Sequence, residues 1–458
     1  MVKRALFLFT LAAVWGYAVW RAGGVVGFDR KVFLLALGIA GLCYWLVNRR
    51  GAAPMPPLLR WTGCLLPAYV ALQLVPLPSG VLATLSPARL ELLRAVKALS
   101  PGERAATLSV APGITMNHFL LVCGYALVFF LTYQMAAAWG DRRWVLILPL
   151  VVIAGAQAAL GIPQALAGHP AHGTYVDRDH YAGLLEMVLP FTLVYPIYLW
   201  REMRARGDFS LRPAVPVCLV ACIAVLIFTG SLLSLSRMGF VAPLFSILVM
   251  GIVAWGGNGW RSAAIIALLG AALIAGFVFL PSDQLIARFV QSASEQGAEG
   301  RLTLWRESLK VFRAFPVFGC GLGGFESAFL RYKVSAPMVS DDHAHNDYLQ
   351  FLIELGIAGF VIGATLFAAI LFKAARAASP GREPRHRFLA IAGIGAFAAI
   401  GLHSFVDFNL YIPANAMLLA WIAGVASSLE GAGQVQHTAE RNHHFEPAQR
   451  NQHARRAY

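Results

Sequence analysis

The chain has 458 residues, of which 58% are hydrophobic and only 13% charged, and its mean hydropathy is +0.64. Soluble domains carry about 25% charged residues, so this composition excludes an ordinary soluble domain and points to a polytopic membrane protein. The formal charge of +14 does not imply nucleic acid as a partner, because basic residues in such a protein gather in cytoplasmic loops and set its orientation.

Apolar runs of about 20 residues span a bilayer core. They recur at 5–21, 31–48, 61–78, 117–138, 144–166, 182–200, 214–233, 238–256, 262–280, 347–372, 388–408 and 411–428. The pattern predicts an all-α protein of about twelve transmembrane helices, with a single integral membrane domain over residues 1–430. The first run, behind Lys3 and Arg4, has the charge and length of a signal peptide. It lacks a small-x-small cleavage site and is followed by Trp20-Arg21, so it reads as a retained helix.

Twelve spans put both termini on one side. With the N-terminus in the cytoplasm, Arg49, Arg50, Arg142, Arg143 and the basic clusters at 201–212 and 373–387 all fall inside, as the positive-inside bias requires. The long segment 281–345, between spans nine and ten, then lies outside, where long loops escape that bias. The outer segment 79–116 carries Leu90, Leu93, Val96 and Leu99 at helical spacing with Arg89, Arg94 and Lys97 between them, the pattern of a surface-lying amphipathic helix. The tail, 431–458, is polar, basic and aperiodic, and is expected to be disordered in the cytoplasm. Cys43, Cys64, Cys123, Cys218 and Cys222 lie in or beside apolar runs, leaving Cys320 alone in a loop. Neither a disulfide framework nor a metal site is expected from that spacing.

The outer segment is the most informative. Leu302, Trp305, Leu309 and Phe312 form an apolar stripe and Arg306, Lys310 and Arg313 a basic one, so an interfacial amphipathic helix is expected, stopped by Pro316. The run Gly319-Cys320-Gly321-Leu322-Gly323-Gly324 matches G-x-G-x-x-G. A dinucleotide site needs a preceding strand and a βαβ unit. With neither expected, the glycines read as a tight turn or a close-packing device.

Three outer-facing constellations can carry chemistry. Asp341, Asp342, His343 and His345 stand where the outer segment re-enters span ten. A histidine near neutral pH can take a proton from a hydroxyl nucleophile, and a neighbouring carboxylate can orient it. Tyr175 to His180 places Arg178 between Asp177 and Asp179, where a structural salt bridge is the plain alternative. Ser236-Arg237-Met238-Gly239 holds an arginine between apolar runs with almost no loop to shelter it. Such a residue snorkels, pairs, or faces a wet cavity in which it can bind phosphate. Within the spans, Glu186, Glu354, His403, Asp407 and Asn409 are polar. His403 and Asp407 share a helix face and can lock the bundle. The same groups would suit a proton-coupled exporter or flippase, which further predicts broken helices and internal repeats.

His345-Asn346-x-x-Leu349 followed by Gly356 and Gly359 resembles the motif of the O-antigen ligase and polymerase superfamily. So do Gly300-Arg301-Leu302 with Trp305, the Arg178 loop, Ser236-Arg237-x-Gly239, and Asp407-x-Asn409 with Pro413. Together these cover residues 174–413 in the family's order. The resemblance implies an inner-membrane enzyme: a metal-independent, inverting glycosyltransferase without cofactor, acting at the periplasmic face. The implied partners are an undecaprenyl-diphosphate-linked glycan donor, a lipid or sugar acceptor and membrane lipids. Arg178 and Arg237 would hold the donor diphosphate. His345, or His343 in its place, would take the acceptor proton. Arg301, Asp341, Asp342, Asn346, Asp347 and Asp407 would support them.

The sequence departs from the family where Asp177-Arg178-Asp179 stands for the common Asn-Arg-Asn, and where His343 doubles the catalytic candidate. No large outer domain is expected after the last span, which counts against the pilin-glycosylating branch. A ligase using a lipid A–core sugar as acceptor is the leading expectation. A polymerase of O-antigen or exopolysaccharide with the same donor chemistry is the alternative, and a protein O-oligosaccharyltransferase the third.

Overall fold

A computed structural model describes residues 2–48, 52–99, 106–208, 210–255, 298–335 and 341–429. The expected span 262–280, the start and a short later part of the outer segment, and the tail fall outside the described residues. Every regular element among those described is helical: α1 (Val2–Trp20), α2 (Gly27–Asn48), α3 (Pro57–Leu72), α4 (Ser79–Leu85), α5 (Pro87–Leu99), α6 (Pro112–Trp139), α7 (Leu148–Leu166), α8 (Arg178–Arg206), α9 (Leu211–Leu233), α10 (Arg237–Trp255), α11 (Ala298–Ala314), α12 (Phe325–Phe329), α13 (Asp347–Ala377), α14 (Pro384–His403) and α15 (Pro413–Ser427).

Seven of the described helical stretches are long and apolar enough to cross a membrane. One, Pro112–Leu166, contains α6 and α7 joined by a 3-10 turn and so holds two of the expected spans. Helices also coincide with the runs at 5–21, 61–78 and 411–428, although α3 has only 16 residues and α15 only 15. Helices α8 and α14 are the most enclosed of the spans and pack together at the centre, while α2 turns Leu35 and Leu42 outward, the face a helix presents to lipid. Helix α15 packs along α6, with Trp421 and Trp15 fully buried at its contact with α1.

Residues 300–359 build a core of their own. Val311 of α11 and Phe315, just past its end, pack with Phe325 and Phe329 of α12, and with Cys320, Ala344 and Ile353. The glycine run does serve close packing. Helix α13 breaks at Gly356 (φ 63°, ψ −177°), a backbone region open in practice only to glycine. The break strands backbone groups, and the segment 316–321 satisfies them. Cys320 N donates to Ile353 O and Gly321 N to Glu354 O (both 3.0 Å), while Ile357 N donates to Pro316 O (2.9 Å) and Ala358 N to Val317 O (3.1 Å). A Cβ on Gly356 would collide with the Val317 carbonyl. Gly356→Ala is therefore expected to lose about 3 kcal/mol of stability, read as a lowered midpoint of thermal unfolding in detergent.

The expected amphipathic helices form, with one correction each. In α5, Leu90 and Leu93 are buried against Leu82 and Leu108, but Arg89 is only 6% exposed rather than on a basic outer face. Its Nε donates to the carbonyls of Thr107 (3.1 Å) and Ser109 (2.9 Å), folding the following loop onto the helix. In α11 the buried face is Glu307, Ser308 and Val311. The predicted apolar stripe instead leaves Leu302 and Leu309 exposed, beside the exposed Arg306, Lys310 and Arg313.

Candidate functional site

Three of the motifs lie at helix N-termini, each with its own cap. Asp177 caps α8, its Oδ1 accepting from Asp179 N at 2.8 Å, so Arg178 is the first residue of the helix rather than part of a loop before residue 182. Ser236 caps α10 by accepting from Gly239 N (3.1 Å), which makes Arg237 the first residue there. Asn346 caps α13 by accepting from Leu349 N (3.0 Å). Short polar side chains with extended backbone suit this position because they satisfy the unpaired N–H groups of the first turn.

The loop before α8 is held rigidly. Gln164 Oε1 accepts from the amides of His172 and Gly173, Gln157 Oε1 accepts from Thr174 N, and Ala171 N donates to Leu233 O at the end of α9. The starts of α8 and α10 touch, since a Cβ on Gly239 would come within 2.9 Å of Ala182 Cβ. Arg178 and Arg237 are both half-buried. Arg178 makes no hydrogen bond or ion pair with another described residue, so the salt bridge to Asp177 or Asp179 does not form among them. Asp177 is used as a cap instead.

Two residues beyond Arg178, His180 faces Asp407, the centre of the site. Asp407 lies in the turn between α14 and α15. Its Oδ1 is 3.6 Å from His345 Nδ1, and its Oδ2 is 3.7 Å from both His180 Nε2 and His403 Nε2. Oδ2 also accepts from Asn409 Nδ2 (3.4 Å). His403 Nδ1 lies 2.9 Å from Glu186 Oε1, so the expected His403–Asp407 pair belongs to a longer buried chain. A second chain runs Tyr175 Oη to Asn415 Oδ1 (3.0 Å) and Asn415 Nδ2 to Asn409 Oδ1 (2.8 Å), linking the Arg178 loop to the Asp407 turn. Burial alone would raise the Asp407 carboxyl, but the approach of His345 and the fields of His180 and His403 hold it below the usual carboxylate range.

His345 has a positive φ of 48°, unusual for a residue with a side chain. Its Nδ1 is buried toward Asp407 while its side chain is 39% exposed, so the accessible part of the ring lies on the far side. His343 is arranged differently. It stacks on Phe408 (centroids 3.9 Å, 10° between planes), and its Nδ1 is 3.4 Å from Asp342, which is 72% exposed. The close approach of the His343 ring holds the Asp342 carboxyl below its ordinary value. Phe408 also meets His180 and His345 edge-on. Sequence reasoning missed this aromatic post, and the only signal was its place between Asp407 and Asn409. Trp305, named in the sequence as part of an apolar stripe and a motif, has a contact that no pattern gave: its Nε1 donates to Ala344 O at 2.9 Å and ties α11 to the histidine loop.

The remaining candidates divide. Asp347 is fully buried and touches neither outer histidine. Its Oδ2 accepts from Ser404 Oγ (2.8 Å) and Leu410 N (3.3 Å), which fixes the turn carrying Asp407. Asp341 pairs with Lys333, away from the histidines. Arg301 is half-buried on α11 and makes no polar contact with the other described residues. Glu354 is engaged throughout, accepting from Gly323 N (2.6 Å), Tyr411 Oη (2.5 Å), Phe325 N (3.2 Å) and Gln350 Nε2 (3.3 Å).

Apolar helices, two arginines at adjoining helix starts and an exposed imidazole backed by a buried carboxylate define a membrane-protein site suited to an anionic substrate and a proton transfer. Residues 222–364 match the family model for the O-Antigen ligase family, and with that match the likeness to the O-antigen ligase and polymerase superfamily is shown. The matched segment holds Arg237, Arg301, His343 and His345, while Arg178 and Asp407 lie outside it. Comparison with curated proteins returns no match.

Proposed function

We propose that the protein is an inner-membrane glycosyltransferase of the O-antigen ligase type. It transfers a glycan from undecaprenyl diphosphate to a hydroxyl of a lipid A–core sugar at the periplasmic face. The observation that carries this reading is His345, whose Nδ1 faces the Asp407 carboxylate while the outer part of the ring stays accessible, on a site that also holds the Arg178 helix start. The acceptor hydroxyl gives its proton to the imidazole as its oxygen attacks the anomeric carbon. The bond from that carbon to the diphosphate breaks, and the lipid diphosphate leaves with the electron pair. Asp407 stabilises the imidazolium that forms. Arg178 and Arg237, aided by the N-termini of α8 and α10, hold the charge that develops on the leaving group. These fixed positive groups supply the charge for which other transferases use a metal ion. Attack from the side opposite the diphosphate inverts the anomeric centre.

The exporter alternative needs carboxylates that can be exchanged with a passing proton. Glu354 instead holds together the loop after α11, and the break in α13 is closed by backbone pairing.

The reading is tested with a deletion strain whose surface glycans are resolved by chain length on gels. Complete loss of capped lipid A–core supports a ligase. Retention of a single-repeat cap supports the polymerase, and unchanged glycans overturn both. Purified protein in liposomes, given the lipid-diphosphate glycan and lipid A–core, must form the capped product without other proteins.

A further inference from the structure

Helices α8 and α14 run in opposite directions and carry the site at one end, through His180 and His403. Helix α8 has 29 residues and so extends roughly 40 Å. At the far end of the same two helices is a cavity of about 420 Å³, lined by Arg201, Arg206, Arg382, Arg387, Glu202 and Phe388 among others. Four arginines thus face one carboxylate, and that carboxylate is already occupied. Glu202 accepts from Tyr198 Oη (2.6 Å) and Arg206 Nη2 (3.2 Å) and lies 3.7 Å from Arg385.

The other arginines are held without acids. Arg387 donates to the carbonyls of Ala378 (3.1 Å) and Ala254 (2.5 Å), which fixes a full positive charge in the wall. Arg201 rests its guanidinium 5.3 Å from the centre of the Phe388 ring. Arg382 is exposed and forms no ion pair with a described residue. One helical turn before Arg201, Ile197 is 50% exposed on α8, and the cavity wall itself includes the rings of Tyr198 and Phe388. A branched aliphatic and two aromatic rings at a basic cavity, at the end of a membrane-spanning helix, match the boundary between acyl chains and head groups.

We propose that this cavity binds the phosphate head group of an anionic phospholipid, with its acyl chains along Ile197, on the side of the membrane opposite the His345 site. The bond is between phosphate oxygens and guanidinium groups, the pairing in which planar arginine forks are strongest. The apolar flank distinguishes a lipid from a free anion, which has nothing to place there.

The test uses the purified full chain in lipid discs of equal parts phosphatidylethanolamine and phosphatidylglycerol. Retained lipids are counted by native mass spectrometry and affinity is read from titration with phosphatidylglycerol. Removing two arginines together, Arg201→Gln with Arg382→Gln, is expected to weaken phosphatidylglycerol binding by roughly thirtyfold, about fivefold for each. The corresponding double lysine variant recovers the affinity only in part, since charge returns without the planar fork. Arg204→Gln, an exposed charge outside the cavity, leaves it unchanged. Thermal unfolding alike in all variants excludes a folding defect as the cause. Undiminished binding in the double glutamine variant overturns the site. Equal displacement by inorganic phosphate overturns the assignment to a lipid. Neither readout depends on glycosyl transfer, so the proposal stands or falls apart from the catalytic reading.

Discussion

His345→Ala lowers the rate of glycan transfer by about a hundredfold to ten-thousandfold, the usual loss when a positioned general base is removed. On the proposed reading this residue, rather than His343, carries the proton. His345 faces Asp407, a buried carboxylate held ionised, whereas the partner of His343 is a largely exposed Asp342. His343→Ala is accordingly expected to cost less, mainly through the lost stacking on Phe408. Donor binding should survive His345→Ala, because on the proposed reading the histidine meets the acceptor and not the diphosphate. Rates measured at saturating donor, with the donor dissociation constant measured in parallel, check both points. A His345→Ala protein that transfers at the wild-type rate would move the base elsewhere, with His343 the next residue to replace.

Arg178→Ala and Arg237→Ala each weaken binding of the undecaprenyl-diphosphate glycan by roughly tenfold to a hundredfold, the scale of losing charge-assisted hydrogen bonds to a phosphate. Lysine at either position restores charge without the planar fork, and recovery is therefore partial. Raising the salt concentration should weaken the wild type more than either alanine variant, since fewer charged contacts remain to be screened. Isothermal titration or a fluorescent lipid-diphosphate assay reads these constants. Unchanged affinity in both variants would remove the arginines from the donor site.

Much of this was legible in the sequence, for physical reasons that also show where reading had to stop. Apolar runs near 20 residues mark helices because a bilayer leaves a chain few other ways to satisfy its backbone. The described helices accordingly fall on the predicted runs, with ends displaced by several residues. The displacement mattered at Arg178. Hydropathy begins the span at residue 182, but Asp177 caps the helix and draws the arginine inside it. The candidates His345, Arg237 and Asp407 could be named from composition and motif, and so could the local pair His403 and Asp407.

What no linear pattern gave was the convergence of His180, His345 and His403, from three separate segments, on the one carboxylate of Asp407. The sharing of that carboxylate depends on helix rotation and on a turn fixed by Asp347. Arg89 failed for a related reason. A basic residue on an amphipathic pattern reads as solvent-facing until the carbonyls that bind it are known.

The backbone pairing across Gly356 has a mechanical consequence. Residues 316–321 and 353–358 are joined like the two sides of a short seam, and Tyr69 of α3 and Gln73, just past its end, stitch it from a third side by bonding to Phe318, Glu354 and Leu355. Helix α13 therefore cannot slide or unwind at its break without tearing bonds to two other parts of the chain. The loop that presents His345 stands on a fixed ledge, not on a spring. On the proposed reading an acceptor sugar has to come to that ledge in the right pose, and choice among acceptors then falls to the shape of the approach.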